Sequence, residues 1–126
     1  MKICFLTHNL RQDNGAGVFS LYLIERMQKE LCAEAMVLTT VPSGKAFERA
    51  ILFPNKLALF AQCLHIRRIF KKCDVIHALD VFPYGVLAVF LSYGLKKKII
   101  ITATGSNSIL PLYHPLKAPV VQYAYR

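Results

Sequence analysis

"KICFLTHNLRQDNGAGVFSLYLIERMQKEL", residues 2–31, decides the fold class. Residues 2–7 are a short apolar run that reads as a strand buried on both faces. A polar loop follows, with Gly15 and Gly17 one residue apart. Val18, Leu21, Tyr22, Ile24, Met27 and Leu31 then recur at helical spacing, with Glu25, Arg26, Lys29 and Glu30 between them. That pattern predicts an amphipathic helix of about four turns whose apolar stripe is those six residues. Strand, glycine loop and helix come in the order that places a phosphate-binding loop in nucleotide-binding proteins.

The loop itself does not read as a dinucleotide site. Such a fingerprint needs a third glycine three residues after the second, and an acid at the end of the next strand for the ribose. Here Ser20 stands where the third glycine belongs, and the second strand ends in Thr39, Thr40 and Val41. No GK[ST] follows, so a Walker loop is excluded. Two readings stay open. The loop is a cluster of backbone N–H groups at a helix N-terminus, able to hold a phosphate or carboxylate. Or it is a tight turn that needs glycine for its dihedrals.

The rest of the chain repeats the alternation. "AMVLTTV" (35–41) reads as a strand, ended by Pro42, Ser43 and Gly44. Residues 45–56 carry no clear pattern. Asn55 is a candidate cap for a helix over 56–72, with Leu57, Phe60, Ala61 and Leu64 expected on its inner face. "DVIHALD" (74–80) is a third strand, 84–95 a helix with Gly94 near its end, and "KIIITATG" (98–105) a fourth strand, apolar without alternation. Pro119 opens a last helix containing Val120, Val121 and Tyr123. The order β-α-β-α-β-α-β-(α) predicts an α/β fold, a Rossmann-like parallel sheet flanked by helices. In such sheets ligands sit at the carboxyl ends of the strands, which gathers the loops 7–17, 41–44, 77–84 and 102–108.

Composition narrows the class. The 126 residues suit one domain, and 55% hydrophobic content argues for a well-buried core. The net charge is +9, with Arg67, Arg68, Lys71 and Lys72 in one cluster and Lys96, Lys97 and Lys98 in another. Neither is interleaved with aromatics or set in a helix-turn-helix or zinc-finger spacing, so nucleic acid is not an expected partner. The clusters read either as a solvated face with cations at helix ends or as a patch against an anionic membrane. Cys4, Cys32, Cys63 and Cys73 form no CxxC pair, and no metal site is expected. Free thiols, mostly buried, fit a reducing compartment. The N-terminus lacks a signal-peptide pattern, and the apolar run 86–95 is too short to span a bilayer. The expected location is the cytoplasm, with a peripheral place at the inner face of the membrane.

Two further groups carry candidate chemistry. His77 at a strand end and Asp80 three residues later are weak catalytic candidates, as a general base and its orienting partner. The alternative is a histidine satisfied within the fold and a capping aspartate. "TATGSNS" (102–108) offers small residues and hydroxyls, with Gly105 allowing close backbone approach.

In their order and spacing, "MKICFLTHNLRQDNGAGVFSLYLIERMQKEL", "DVIHALD" and "KIIITATGSNS" resemble the N-terminal domain of family 4 glycosyltransferases of the GT-B fold. The resemblance implies two facing Rossmann-like domains, the first binding the acceptor and the second the nucleotide sugar. It implies a retaining, metal-independent transfer with no cofactor, a nucleotide-diphosphate sugar as co-substrate, and a glycan or lipid-linked acceptor. It places Asn14, Gly15, Ala16 and Gly17 in the loop facing donor phosphates and acceptor, and Asp80, Thr104, Gly105 and Ser106 in the acceptor cleft. Thr104 stands where the family often has a histidine. The resemblance further implies more of this domain after residue 126, then a donor-binding domain with an E-x7-E-type region. A single, C-terminally incomplete domain, inactive alone, is therefore expected, with an exposed sheet edge and an uncovered apolar face near Val120 and Val121. Peripheral membrane contact would run through Arg67, Arg68, Lys71 and Lys72. The rival reading is a non-catalytic, flavodoxin-like anion-binding or regulatory module.

Overall fold

The computed structural model describes residues 1–52 and 56–125, and the side chains of residues 56–60 and 107 fall outside that description. Asn55, the candidate helix cap, lies outside the described residues. The elements run β1 (Lys2–Thr7), α1 (Gly15–Leu31), β2 (Glu34–Thr39), β3 (Glu48–Ala50), α2 (Lys56–Lys71), β4 (Val75–Ala78), α3 (Val86–Ser92), β5 (Lys98–Ile101) and α4 (Ala118–Ala124). All pairings are parallel, in the order β3-β2-β1-β4-β5. The fold is a Rossmann-like α/β sheet.

β1 holds the centre because it is apolar on both sides and buried from Ile3 to Thr7. Its side chains alternate between two cores. Ile3 and Phe5 join Ile24, Val37 and Val75 beneath α1. Cys4 and Leu6 join Leu38, Ile66, Phe70, Ile76 and Ala88 beneath α2 and α3. From β1 the chain steps outward to β2 and β3. It then returns across the sheet to β4 on the other side of β1, and goes on to β5. The strand order thus reverses between β1 and β4, and loops diverge there to leave a crevice.

Several expectations need correction. β3 falls in the stretch 45–56 that showed no pattern; its three residues pair Glu48, Arg49 and Ala50 with Val37, Leu38 and Thr39. In α1 the buried residues are Gly17, Ser20, Leu21 and Ile24, whereas Val18, Tyr22 and Leu31 are exposed. The helix turns its small residues to the sheet, which lets its first half approach closely. In α2 the inward residues are Ile66, Ile69 and Phe70, and Ala61 and Leu64 face solvent. The side chains of Leu57 and Phe60 are not among those described. β5 is an edge strand rather than a doubly covered one, with Ile99 and Ile100 36% and 43% exposed. Of the apolar face expected near Val120 and Val121, Val121 itself is buried and Val120 half-buried as α4 packs against α3, whereas Leu110, Tyr113, Leu116 and Tyr123 around them are exposed. All four cysteines are free thiols, but only Cys4 and Cys73 are buried; Cys32 is exposed at the left-handed end of α1.

The two cores depend on large side chains that touch no water. Phe70 and Ile24 are both 0% exposed. Phe70→Ala and Ile24→Ala should each lower the unfolding free energy by about 3–4 kcal/mol, read from urea denaturation, whereas Leu64→Ala should change it by less than about 0.5 kcal/mol.

Candidate functional site

A cleft of about 620 Å³ opens at the carboxyl ends of β1 and β4, at the point where strand order reverses. Three loops line it. The β1–α1 loop and first turn of α1 supply Thr7, His8, Gly15, Ala16, Phe19 and Ser20. The segment after β4 supplies Leu79, Asp80, Pro83 and Tyr84, and the segment after β5 supplies Thr104, Gly105 and Ser106. The loop 41–44 stays outside the lining, bracing the wall from behind: Ser43 Oγ accepts the Leu10 N–H at 2.8 Å.

The glycine loop is folded against itself. Asn14 caps α1, its Oδ1 accepting the Gly17 N–H at 2.8 Å. Asn9 Oδ1 accepts the Arg11 N–H at 2.9 Å. Gly17 is buried against this turn, and a Cβ there would collide with Arg11 O, Arg11 N and Asn9 Oδ1. Gly17 is therefore needed for close approach, and its N–H is already used. Gly15 and Ala16 line the cleft instead, and as first-turn residues they have no intrahelical acceptor for their N–H groups. No acid or base occupies that first turn. Of the residues placed in this loop from sequence, Gly15 and Ala16 face the cleft, while Asn14 and Gly17 hold it in shape.

Ser20 explains the missing third glycine. Its Oγ lies 2.9 Å from Thr7 Oγ1 in a buried pair that ties α1 to the end of β1. The ribose acid has no free substitute either. Glu48, on the neighbouring strand, has Oε1 bonded to Thr39 Oγ1 and Oε2 bonded to the backbone N–H groups of Ser43 and Lys45. Burial pushes its carboxyl up, but these hydrogen bonds outweigh that and hold it below the ordinary range.

His77 and Asp80 do not act on each other. His77 is 5% exposed, outside the cleft lining, and packed on the Phe5 ring with centroids 5.4 Å apart. Its Nε2 lies 2.7 Å from Thr102 Oγ1, bracketing β4 to the end of β5. Among the described residues its Nδ1 has no partner. Burial lowers its pKa to about 4, so the ring is neutral near pH 7. Asp80 does reach the cleft, but its Oδ1 accepts both the Val81 N–H at 2.8 Å and the Ser108 hydroxyl at 2.7 Å. It caps the turn that precedes α3 and pins the segment after β5 beside it. Ser108 is pinned in turn by Thr104 O at 3.1 Å, which leaves Thr104, Gly105 and Ser106 along the rim.

Among the cleft side chains that the sequence reading did not name as site candidates are His8, Phe19 and Tyr84. The Tyr84 hydroxyl lies 3.1 Å from His8 Nδ1 and 3.0 Å from Thr40 Oγ1. These contacts steady the His8 ring through its Nδ1. Phe19 is 41% exposed and gives the cleft an aromatic wall. Their signal lay in position, one residue beyond a strand end and one helical turn beyond a cap. The lining holds neither Lys nor Arg among the described residues. No three His, Cys, Asp or Glu side chains group as metal ligands among those described. The cleft lining thus holds hydroxyls, one imidazole, the Asp80 carboxylate, an aromatic face and two backbone N–H groups.

Gly17→Ala should cost about 2–4 kcal/mol in thermal or urea unfolding, because backbone cannot yield; Gly15→Ala, with open space around it, should stay within about 0.5 kcal/mol. The folded-state pKa of His77 lies below the unfolded value of 6.5, so its contribution is complete above pH 6.5 and is lost as pH falls towards about 4. A pH series of unfolding measurements should show a loss of about 2 kcal/mol across that window, and His77→Gln should flatten it. No protein-family model, curated protein or solved structure matches the chain, so its functional reading rests on this cleft and on the resemblance of the loops that build it.

Proposed function

We propose that the chain is the acceptor-side portion of a glycosyltransferase that moves a sugar from a nucleotide-diphosphate sugar to a glycan or lipid-linked acceptor. The observation that carries this reading is the composition of the cleft. The three segments that resemble the family 4 glycosyltransferases converge on one crevice, and its walls suit a hydroxyl-rich ligand better than a free polyanion. Phe19 supplies a stacking face, while His8, Thr104, Ser106 and the Gly15 and Ala16 N–H groups supply hydrogen bonds. With no Lys or Arg in the described lining, a diphosphate would meet helix-terminal N–H groups, hydroxyls and the His8 ring, with the Asp80 carboxylate in the same lining. Donor phosphates then belong to the far side of a completed cleft, and transfer requires that second half. Peripheral contact with an anionic membrane belongs to the same proposal.

A second reading has a specific observation behind it. The first turn of α1 carries no acid, and its Gly15 and Ala16 line the cleft, which suits a non-catalytic anion-binding module. Amide chemical-shift titrations of the purified chain separate the two. The glycosyltransferase reading expects oligosaccharides to shift Gly15, Ala16, Thr104 and Gly105 at millimolar concentration, with weaker response to nucleoside diphosphate, and Phe19→Ala to weaken the oligosaccharide response about tenfold. Saturation by inorganic phosphate or nucleoside diphosphate, with no oligosaccharide response, would favour the anion module. The isolated chain should not turn over nucleotide sugar above a Gly17→Asp control; turnover above it would overturn the expectation that the second half is required.

A further inference from the structure

Cys4 and Cys73 are far apart in the chain, yet both belong to the core beneath α2 and α3, and both are fully buried. The topology brings them together. β4 runs parallel to β1, with Ile76 opposite Cys4 and Val75 opposite Ile3. Asp74 extends that pairing: its N–H donates to Lys2 O at 2.8 Å, and its Oδ2 accepts the Lys2 N–H at 2.7 Å. Cys73 comes just before it, at the turn where α2 ends, and its side chain enters the same core as that of Cys4.

The two thiols are hydrogen-bonded to each other and are chemically unlike. The Cys73 S–H donates to Ile69 O at 3.4 Å, which leaves its sulfur to accept from the Cys4 S–H. That bond pulls the Cys73 thiol below its ordinary pKa. Burial opposes it, and the Lys2 and Lys97 ammonium groups pull the same way as the bond. For Cys4 the bond and burial both push the thiol up. Cys73 is therefore the nucleophile of the pair and Cys4 its protonated neighbour. Cys73 also lies close to the surface along the chain, between the exposed Lys72 and Asp74. Its turn is held by the Lys72 N–H on Ile69 O and the Cys73 N–H on Phe70 O, and opening that terminal turn uncovers the sulfur without breaking the sheet.

We propose that Cys4 and Cys73 form a reversible dithiol site, oxidised by hydrogen peroxide to an intramolecular disulfide that staples β1 to the end of α2. The Cys73 thiolate attacks one peroxide oxygen. The O–O bond breaks, hydroxide leaves and takes up the thiol's proton as water, and Cys73 becomes a sulfenic acid. The Cys4 sulfur then attacks the Cys73 sulfur. The S–O bond breaks, and the departing hydroxide leaves with the Cys4 proton as a second water. The two thiols have lost two electrons and two protons, and the peroxide has been reduced to water. A thiol reductant reverses the bridge by exchange. Neither cysteine lines the cleft, so the site does not depend on sugar transfer.

The intact chain, with its four cysteines, is treated with hydrogen peroxide, and its remaining thiols are then alkylated in denaturant. Peptide mapping without reductant should find Cys4 joined to Cys73 as the main bridge in the folded monomer, and dithiothreitol should remove it. The same treatment in urea should give mixed pairs. The oxidised chain should unfold at a higher urea concentration than the reduced one, because the bridge constrains the unfolded state. Cys4→Ala should leave Cys73 as a sulfenic acid that dimedone captures, whereas Cys73→Ala should leave Cys4 a free thiol, each with unchanged circular dichroism. Cys4 and Cys73 both staying free once the exposed Cys32 is fully oxidised would overturn the proposal. So would a Cys4–Cys73 bridge no more frequent in the folded chain than in urea, or dimedone capture at Cys4 instead of Cys73 in the two variants.

Discussion

Parallel pairing on both edges of β1 is the constraint from which the rest follows. Parallel neighbours cannot be joined by a hairpin, so most connections must cross the sheet and come back, and helices serve that purpose. Because every strand points the same way, all carboxyl ends emerge on one side of the sheet. The reversal of strand order at β1 and β4 then separates the loops above them. The cleft follows from the topology before any side chain is chosen. Its chemistry comes afterwards, from which residues the loops bring to its walls.

Most polar groups in those loops are used to hold the loops still. Asn14 is used by the Gly17 N–H, Asp80 by Val81 and Ser108, Thr7 by Ser20, and His77 by Thr102. Buried polar groups need partners, and a cleft with defined walls needs many of them. What remains for a ligand is shorter: the His8 ring steadied by Tyr84, the Phe19 face, the rim from Thr104 to Ser106, and two N–H groups at the α1 N-terminus. At the opposite end of the sheet Arg68, Lys71, Lys72, Lys96 and Lys98 are exposed, beside the hydrogen bonds from Lys97 Nζ to Lys71 O and from Arg67 Nη1 to Leu91 O.

The architecture was legible because strand and helix periodicities are local. The apolar runs at 2–7, 35–41, 74–80 and 98–105 each contain a strand, and the helices fall between them. The helix faces were less legible. A hydrophobic stripe through Val18 and Tyr22 looks inward on a helical wheel, yet α1 buries Gly17 and Ser20. Close approach of a helix to a strand rewards small volume, which a hydrophobicity pattern cannot register. β3 escaped notice because its residues, Glu48, Arg49 and Ala50, have no strand signature; pairing with β2 makes them a strand. His77 and Asp80 looked like a catalytic pair because three residues separate them, but β4 turns His77 under α1 while Asp80 caps the following turn.

The sequence by itself determined the fold class, the alternation of strands and helices, and which loops would meet. Those depend on residue type and spacing along the chain, which act over a few residues at a time. Only the tertiary structure decided which polar side chains were consumed and which were offered, and where the charge gathered. Those depend on pairs such as His8 with Tyr84 and Lys71 with Lys97, 76 and 26 residues apart, which meet only once the crossovers have closed. QDNGAGVFS shows the division: its glycines announce a turn into a helix, but only the packed loop shows Gly17 fitted against backbone and Gly15 open to the cleft.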